Sequence, residues 1–275
     1  MTLGETLDAA TTYLASRGVE HPRLDAELLL SRALGLTRID LYTQHDRPLT
    51  ERERETARGP VRRRGAREPL AYVLGDWGFR RLTLRTDNRA LVPRPETEIV
   101  VDRCLALLDG ADRPRVLDVG TGTGAIALSL AHELAGAQVV ATDASSDALA
   151  LADENAKSLG LDVELRLGDL IADATGPFDI VVSNPPYVDE AEIDALEPEV
   201  RDWEPRAALV DTGQTARLVE SATHVLDGWL VLEVHEGRAE ETAEQLRTAG
   251  YTQVAVTDDL AGRPRVVEGK WSGVR

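Results

Sequence analysis

Apolar side chains recur at helical spacing through the first 70 residues. Leu3, Leu7, Ala10 and Leu14 form one stripe, and Gly18 is a stop signal. His21-Pro22 opens a second helix that carries Leu24, Leu28 and Leu29 inward and ends near Gly35. A short helix is expected over 39–42. Thr50-Glu51-Arg52-Glu53 has the spacing of a capping box, so a strongly charged helix runs from there to about Gly65. The pattern then changes. Residues 79–85 and 90–92 read as short strands about the turn signal Asp87-Asn88. Pro95 suits the first turn of a helix that continues through Val100, Val101, Cys104 and Leu108.

From residue 115 onward short apolar runs alternate with amphipathic ones. Strands are expected over 115–119, 138–142, 163–167, 178–183 and 229–234, and helices over 125–134, 146–159, 216–226 and 237–249. Such alternation implies right-handed βαβ crossovers and a sheet covered on both faces. Two last strands, 252–257 and 265–268, have only 258–264 between them, so they pair as a hairpin and introduce one antiparallel strand. The expected fold is α/β: a Rossmann-like, mostly parallel sheet over 96–275, a small helical domain over 1–75, and a β-hairpin linker over 76–95.

Composition narrows this picture. At 275 residues the chain has room for one large domain or two ordinary ones. No apolar stretch reaches the ~18 residues of a membrane span. The start lacks a basic n-region and an apolar h-region, so no secretory signal is read. Cys104 is the only cysteine, which excludes an internal disulfide and any multi-cysteine metal site and suits a reducing cytoplasm. The net charge of −17 is unevenly spread: residues 1–75 carry +1 and residues 76–275 carry −18. An acidic body of that size repels phosphate backbones, which argues against a stable nucleic-acid complex. The helix after Thr50 concentrates Arg52, Arg54, Arg58, Arg62, Arg63, Arg64 and Arg67 around the sequence. The plain reading is a solvated face interleaved with Glu51, Glu53 and Glu55; the sharper one is a docking surface for an acidic partner.

Two segments carry candidate chemistry. The strand 115–119 runs into Gly120-Thr121-Gly122-Thr123-Gly124 and then a helix. Glycines there permit a sharp turn and close approach of a ligand beyond the carboxyl ends of the strands. The spacing is not the dinucleotide fingerprint G-x-G-x-x-G. Asp118 ends the first strand and Asp143 the second, where a carboxylate can accept both hydroxyls of a ribose. A pyrophosphate would disfavour a carboxylate at the loop, whereas a sulfonium with an amino-acid tail tolerates one. Asp118 therefore favours S-adenosylmethionine over NAD.

The strand 178–183 ends in Asn184-Pro185-Pro186-Tyr187, beside the glycine loop in the expected strand order. Two prolines fix φ and remove two N–H donors, leaving a rigid turn rich in acceptors. The Asn184 side-chain oxygen and the Pro185 carbonyl suit a planar NH2 group, with Tyr187 packed on its face. Two acceptors push electron density onto a conjugated nitrogen and aim it at a methyl carbon, so orientation carries the rate and no strong base is needed.

Taken together, Val92-Pro93-Arg94-Pro95-Glu96-Thr97-Glu98, residues 118–124, Asn184-Pro185-Pro186-Tyr187 and Asp259-Leu260-Ala261-Gly262 resemble the HemK-type peptide chain release factor glutamine methyltransferases over nearly the whole length. The resemblance implies an S-adenosylmethionine-dependent enzyme that methylates the side-chain amide of the glutamine in a Gly-Gly-Gln motif. It implies cofactor contacts from Asp118, Gly120, Thr121, Gly122, Thr123, Gly124, Asp143, Asp169, Leu170 and Asn184. It assigns Asn184, Pro185, Pro186 and Tyr187 to the substrate glutamine, with Asn184, Pro185 and Tyr187 catalytic. Leu170 replaces an aromatic residue of some members, so it packs on adenine without stacking. His235 is a small departure, read as a surface or loop residue, and no metal site is expected. The protein partner is a release factor and the enzyme is expected to be a monomer. The tetrapeptide equally serves a ribosomal-protein glutamine, or a flipped adenine in an N6 methyltransferase. A non-catalytic cofactor-binding module is disfavoured by the intact tetrapeptide.

Overall fold

The computed structural model describes residues 1–171 and 174–273. The chain divides into two compact units, Met1–Asp76 with Leu196–Trp203, and Trp77–Ala195 with Glu204–Arg275.

The first unit is helical: α1 (Leu3–Ser16), α2 (Pro22–Leu34), α3 (Arg38–Thr43), α4 (Glu51–Gly65) and α5 (Leu70–Leu74), with the short helix that follows residue 197 counted below as α9. Thr2, Thr37 and Thr50 each cap a helix and form capping boxes with Glu5, Asp40 and Glu53. Leu3, Leu7, Leu14, Leu29, Leu30 and Leu41 make the core. The inward face of α2 differs from the expected one. Ala26, Leu29 and Leu30 are buried, while Leu28 is half-buried and Leu24 exposed. The face is rotated because Asp25 and Glu27 are also buried, each held by cations. Asp25 accepts from Arg64 Nε at 2.7 Å; Glu27 accepts from Arg38 at 2.6 Å and Arg23 at 3.1 Å.

The arginine-rich helix splits into two halves. Arg54 and Arg58 pair with Glu51 and Glu55 in the exposed manner expected. Arg64 and the following Arg67 are instead drawn into the helical unit, while Arg63 pairs from the surface. Arg63 binds Glu68, Arg64 binds Asp25 and Glu199, and Arg67 binds Glu197 and Glu199. Arg64 and Arg67 are structural cations of the helical unit.

The second unit opens with a two-stranded hairpin, β1 (Asp76–Phe79) and β2 (Leu82–Arg85). Its turn is Arg80-Arg81, not Asp87-Asn88, and 90–92 is not a strand. Arg80 takes a left-handed φ of 52°, and its guanidinium is clamped by Glu133 and Asp102, which holds a non-glycine residue in that region. Then come α6 (Thr97–Leu107), β3 (Arg115–Val119), α7 (Ala125–Glu133), β4 (Gln138–Asp143), α8 (Ser146–Leu159), β5 (Glu164–Leu167) and β6 (Phe178–Ser183). After α9 (Pro198–Arg201) follow α10 (Gln214–Ala222), β7 (Leu226–Glu233), α11 (Ala239–Ala249), β8 (Thr252–Asp258) and β9 (Pro264–Trp271). Pro95 lies in the turn ahead of α6, so Thr97 is its first residue and is buried.

The seven main strands form one sheet in the order β5-β4-β3-β6-β7-β9-β8. All pairs are parallel except β9 with its two neighbours, so a single antiparallel strand is inserted between β7 and β8. Central strands read as unbroken apolar runs because helices cover both faces; Val116, Leu117, Ile180, Val181, Leu230 and Val231 are fully buried. Among the described residues no helix is long and apolar enough to cross a membrane.

Candidate active site

Strand register sets up the site. Val119 pairs with Thr142 on one side and Ser183 on the other, and Ser183 pairs with Leu232. The next residue on each of these four strands is Gly120, Asp143, Asn184 and Glu233. Four chemistry-bearing positions therefore stand in one row along the carboxyl edge, where open α/β sheets bind ligands.

The glycine loop crosses this edge tightly. Gly120 and Thr121 N–H both donate to the Thr142 carbonyl, at 2.9 and 3.0 Å. Gly120 has φ 72°, and a Cβ there would meet nothing within 4 Å, so its side is open space. Gly124, at φ 84°, is needed for packing as well: a Cβ would lie 2.8 Å from Leu128. The Asp143 carboxylate accepts from Gly122 N–H and Ser145 N–H, each at 2.9 Å, and burial raises its pKa. It braces the loop and stands at its rim. The helix cap is Ser145.

Asp118 is placed differently from the expectation. It is buried beneath the loop and does not line the cavity above it. Its Oδ2 accepts from Thr121 Oγ1 at 2.6 Å and Ala127 N–H at 3.2 Å, while Oδ1 finds no partner among the described residues. Desolvation pushes this carboxyl up to about 7. The loop folds over it to meet the first turn of α7, so Asp118 acts as an internal bracket.

A cavity of about 380 Å³ runs over the loop, within the range of small-ligand sites. Gly120, Thr121, Gly122, Thr123, Asp143, Asp169, Leu170, Asn184, Pro185 and Pro186 all line it. At one end Leu170 has φ 50°, fixed by its carbonyl accepting from Thr142 Oγ1 at 2.8 Å. Neighbouring Asp169 is exposed and pairs with Arg217 at 2.8 Å. At the other end Asn184 Nδ2 donates to Thr97 Oγ1 at 3.2 Å, and Ser183 Oγ donates to the Val119 carbonyl at 2.7 Å. Arg94, also lining the cavity, is held by both oxygens of buried Glu204, at 2.7 and 2.8 Å.

Tyr187 lies apart from the first cavity. Its ring lines a second cavity with Asp211, Glu233, His235 and Arg238, and stacks obliquely on His235 with centroids 6.0 Å apart. Its neighbours Asn184, Pro185 and Pro186 line the first cavity and Tyr187 does not. His235 itself is an exposed loop residue that accepts from Gly237 N–H.

Sequence reasoning passed over two residues here. Thr97 lines the cavity beside Asn184, and Glu233 is buried at the end of β7. A carboxylate closing an apolar strand is the same signal that singled out Asp143; Thr97 carries no such mark until the fold brings it to Asn184.

Residues 5–75 match the family model described as PrmC N-terminal domain, and residues 101–226 match the methyltransferase small domain. A release factor glutamine methyltransferase of Geobacter sulfurreducens is 42% identical, covering 98% of this chain and 96% of that protein. One from Deinococcus radiodurans is also 42% identical, covering 99% and 100% respectively. Among solved structures, the T. thermophilus 16S rRNA methyltransferase RsmC, in complex with AdoMet and guanosine, aligns with a TM-score of 0.53. It is 18% identical and covers 71% of this chain and 49% of that one, a likeness of fold.

Proposed function

Because this chain belongs to the release factor glutamine methyltransferase family, we propose that its sheet-edge cavity binds S-adenosylmethionine and presents the acceptor glutamine to it at Asn184. The enzyme transfers a methyl group to the side-chain amide nitrogen of a release factor glutamine.

The residues present suit the cofactor. The open side of Gly120 leaves room for close approach, and Asp143 stands at the rim where ribose hydroxyls need acceptors. Asp169 and Leu170 flank the far end, where Leu170 offers apolar surface to an adenine. When bound, S-adenosylmethionine supplies an electrophilic methyl carbon. Asp118 serves this site from below, by fixing the loop.

The observation that carries the reading is the continuity of one cavity from the glycine loop to Asn184, Pro185 and Pro186. With no N–H on either proline, the backbone of Pro185 and Pro186 offers acceptors only, which suits an amide NH2. Asn184 and the Pro185 carbonyl orient the nitrogen and draw its hydrogens, so preorganisation does the work that a base would do elsewhere. Tyr187 follows this turn and lines the second cavity. The helical unit, matched by the PrmC N-terminal model, supports a protein substrate.

The test is methyl transfer from labelled S-adenosylmethionine to a release factor containing Gly-Gly-Gln, a ribosomal protein fraction, and adenine-containing DNA, with the label mapped by mass spectrometry. One added methyl on the release factor glutamine is expected. Label only on a ribosomal protein or on adenine overturns the substrate and leaves the cofactor site standing.

A further inference from the structure

Asn184 has an orientation problem that the cavity alone does not solve. Its terminal amide carries an acceptor on one side and a donor on the other, and the two are nearly the same shape. Only the orientation that presents Oδ1 can accept a hydrogen from the substrate NH2. The reverse orientation would offer N–H to N–H.

Thr97 settles the orientation only if its own hydroxyl is committed. A threonine hydroxyl both donates and accepts, so by itself it tolerates either face of the asparagine. Thr97 sits at the first residue of α6, nearly fully buried, with Asn184 Nδ2 3.2 Å from its Oγ1. The Glu233 carboxyl neighbours the Thr97 side chain. Register brings Glu233 there, since Ser183 pairs with Leu232 and the next residues are Asn184 and Glu233. Glu233 is 1% exposed, and its Oε2 has no hydrogen-bond partner among the described residues. A buried carboxylate only accepts, so the Thr97 proton turns toward it and the Thr97 lone pair turns toward Asn184.

We propose that Thr97 and Glu233 are positioning residues for methyl transfer: Glu233 accepts a hydrogen bond from the Thr97 hydroxyl, Thr97 accepts from Asn184 Nδ2, and Asn184 Oδ1 is thereby held for the substrate amide. The proposal rests on the reading that Asn184 holds the acceptor amide. It also explains why a carboxylate is retained at the end of a buried strand with one oxygen unpaired, an arrangement that contributes nothing to packing.

The relay is sensitive to protonation. Burial pushes Glu233 up to about 7. The ionisable groups facing it are Arg94 and Glu96 ahead of α6, Tyr187 after β6 and Arg265 on β9, with Asp211, His235, Arg238 and Glu241 around the second cavity. Once protonated, Glu233 itself donates to Thr97, whose hydroxyl then points at Asn184 and favours the wrong face.

Steady-state methylation of a release factor by Thr97→Val, Thr97→Ser, Glu233→Gln and Asn184→Ala tests this. Valine keeps the shape and removes the hydroxyl, so kcat should fall by about tenfold to a hundredfold, the scale of a misplaced reacting group, with KM for S-adenosylmethionine unchanged. Thr97→Ser should restore kcat to within about twofold of the native enzyme, because the hydroxyl is the acting group. The native kcat should decline on the acid side with a midpoint near 7, and Glu233→Gln should abolish that limb. Thr97→Val combined with Asn184→Ala should be no slower than Asn184→Ala alone. Native kcat in Thr97→Val, equal loss in Thr97→Val and Thr97→Ser, or an effect confined to cofactor KM overturns the relay. Should Thr97→Val lose cooperative unfolding, the pH profile of Glu233→Gln decides, and a retained acid limb overturns it. Full activity in Asn184→Ala sinks the underlying reading of the site; loss there with a native Thr97→Val sinks the relay alone.

Discussion

Arg64 Nη1 lies 2.7 Å from Glu199 Oε1, although 135 positions of sequence separate them. The same guanidinium holds Asp25 at 2.7 Å and the Glu68 carbonyl at 3.1 Å, and its side chain is only 8% exposed. One cation thus ties α2, the end of α4 and the segment around α9 into one helical unit. Arg64→Ala leaves buried Asp25 without its cation and Glu199 with Arg67 alone, and should destabilise this unit by about 3 kcal/mol. Arg58→Ala, whose pair with Glu55 is exposed, should change stability by under about 0.5 kcal/mol. Urea unfolding of both variants compares them, and equal effects would contradict the assignment of Arg64 as a structural cation.

Asn184→Ala removes the proposed acceptor for the reacting amide while leaving the glycine loop intact. Methylation should slow by about a hundredfold or more, the scale for losing one preorganised electrostatic contact. Cofactor affinity, measured by calorimetry, should stay within a few-fold. A variant that methylates at the native rate would remove Asn184 from the mechanism.

Asp143→Ala should raise the S-adenosylmethionine dissociation constant by about tenfold or more, as ribose hydroxyls lose an acceptor. The substitution also frees Gly122 N–H and Ser145 N–H, so part of the loss comes from a loosened loop. Asp143→Asn keeps one acceptor oxygen and should lose less. Unchanged affinity in both variants would mean that the ribose is held elsewhere.

Asp118 makes a pH prediction of definite sign. Its folded-state pKa lies near 7, above the ordinary value of 3.8, because burial opposes the charge. Between these values the folded protein binds a proton that the unfolded chain has released. Its contribution to stability is therefore fully present below about pH 4 and is lost as pH rises through about 7. Asp118→Asn keeps an acceptor for Thr121 and Ala127 and removes the buried charge. It should be more stable than the native protein at pH 8 by on the order of 1–3 kcal/mol, with no such gain at pH 4. Denaturation midpoints at the two pH values measure this, and a gain of the same size at both would contradict it.

Much of the architecture was legible along the chain because it rests on local periodicity. The strands at 115–119 and 178–183 and the helix over 146–159 fall where the pattern places them, since unbroken apolar runs and end-capped amphipathic stretches are local properties. The first hairpin was misplaced because Asp87-Asn88 is a common turn pair and Arg80-Arg81 is not. Contacts of Arg80 with Glu98, Asp102 and Glu133 hold the latter turn.

The chemistry of the site was likewise partly local. A glycine loop after a strand, a carboxylate ending the next strand and a diproline turn each announce themselves in a few residues. By itself the sequence determined which residue types stand at the carboxyl edge of the sheet. Tertiary structure decided which way they face: Asp118 turns beneath the loop, Tyr187 lines the second cavity, Thr97 meets Asn184 from 87 positions away, and strand register sets Glu233 beside them, 49 positions beyond Asn184. Which residue types end the strands follows from runs of neighbours along the chain. Which side chain meets which depends on strand register and on the burial of individual carboxyl groups, and these exist only once the sheet has formed.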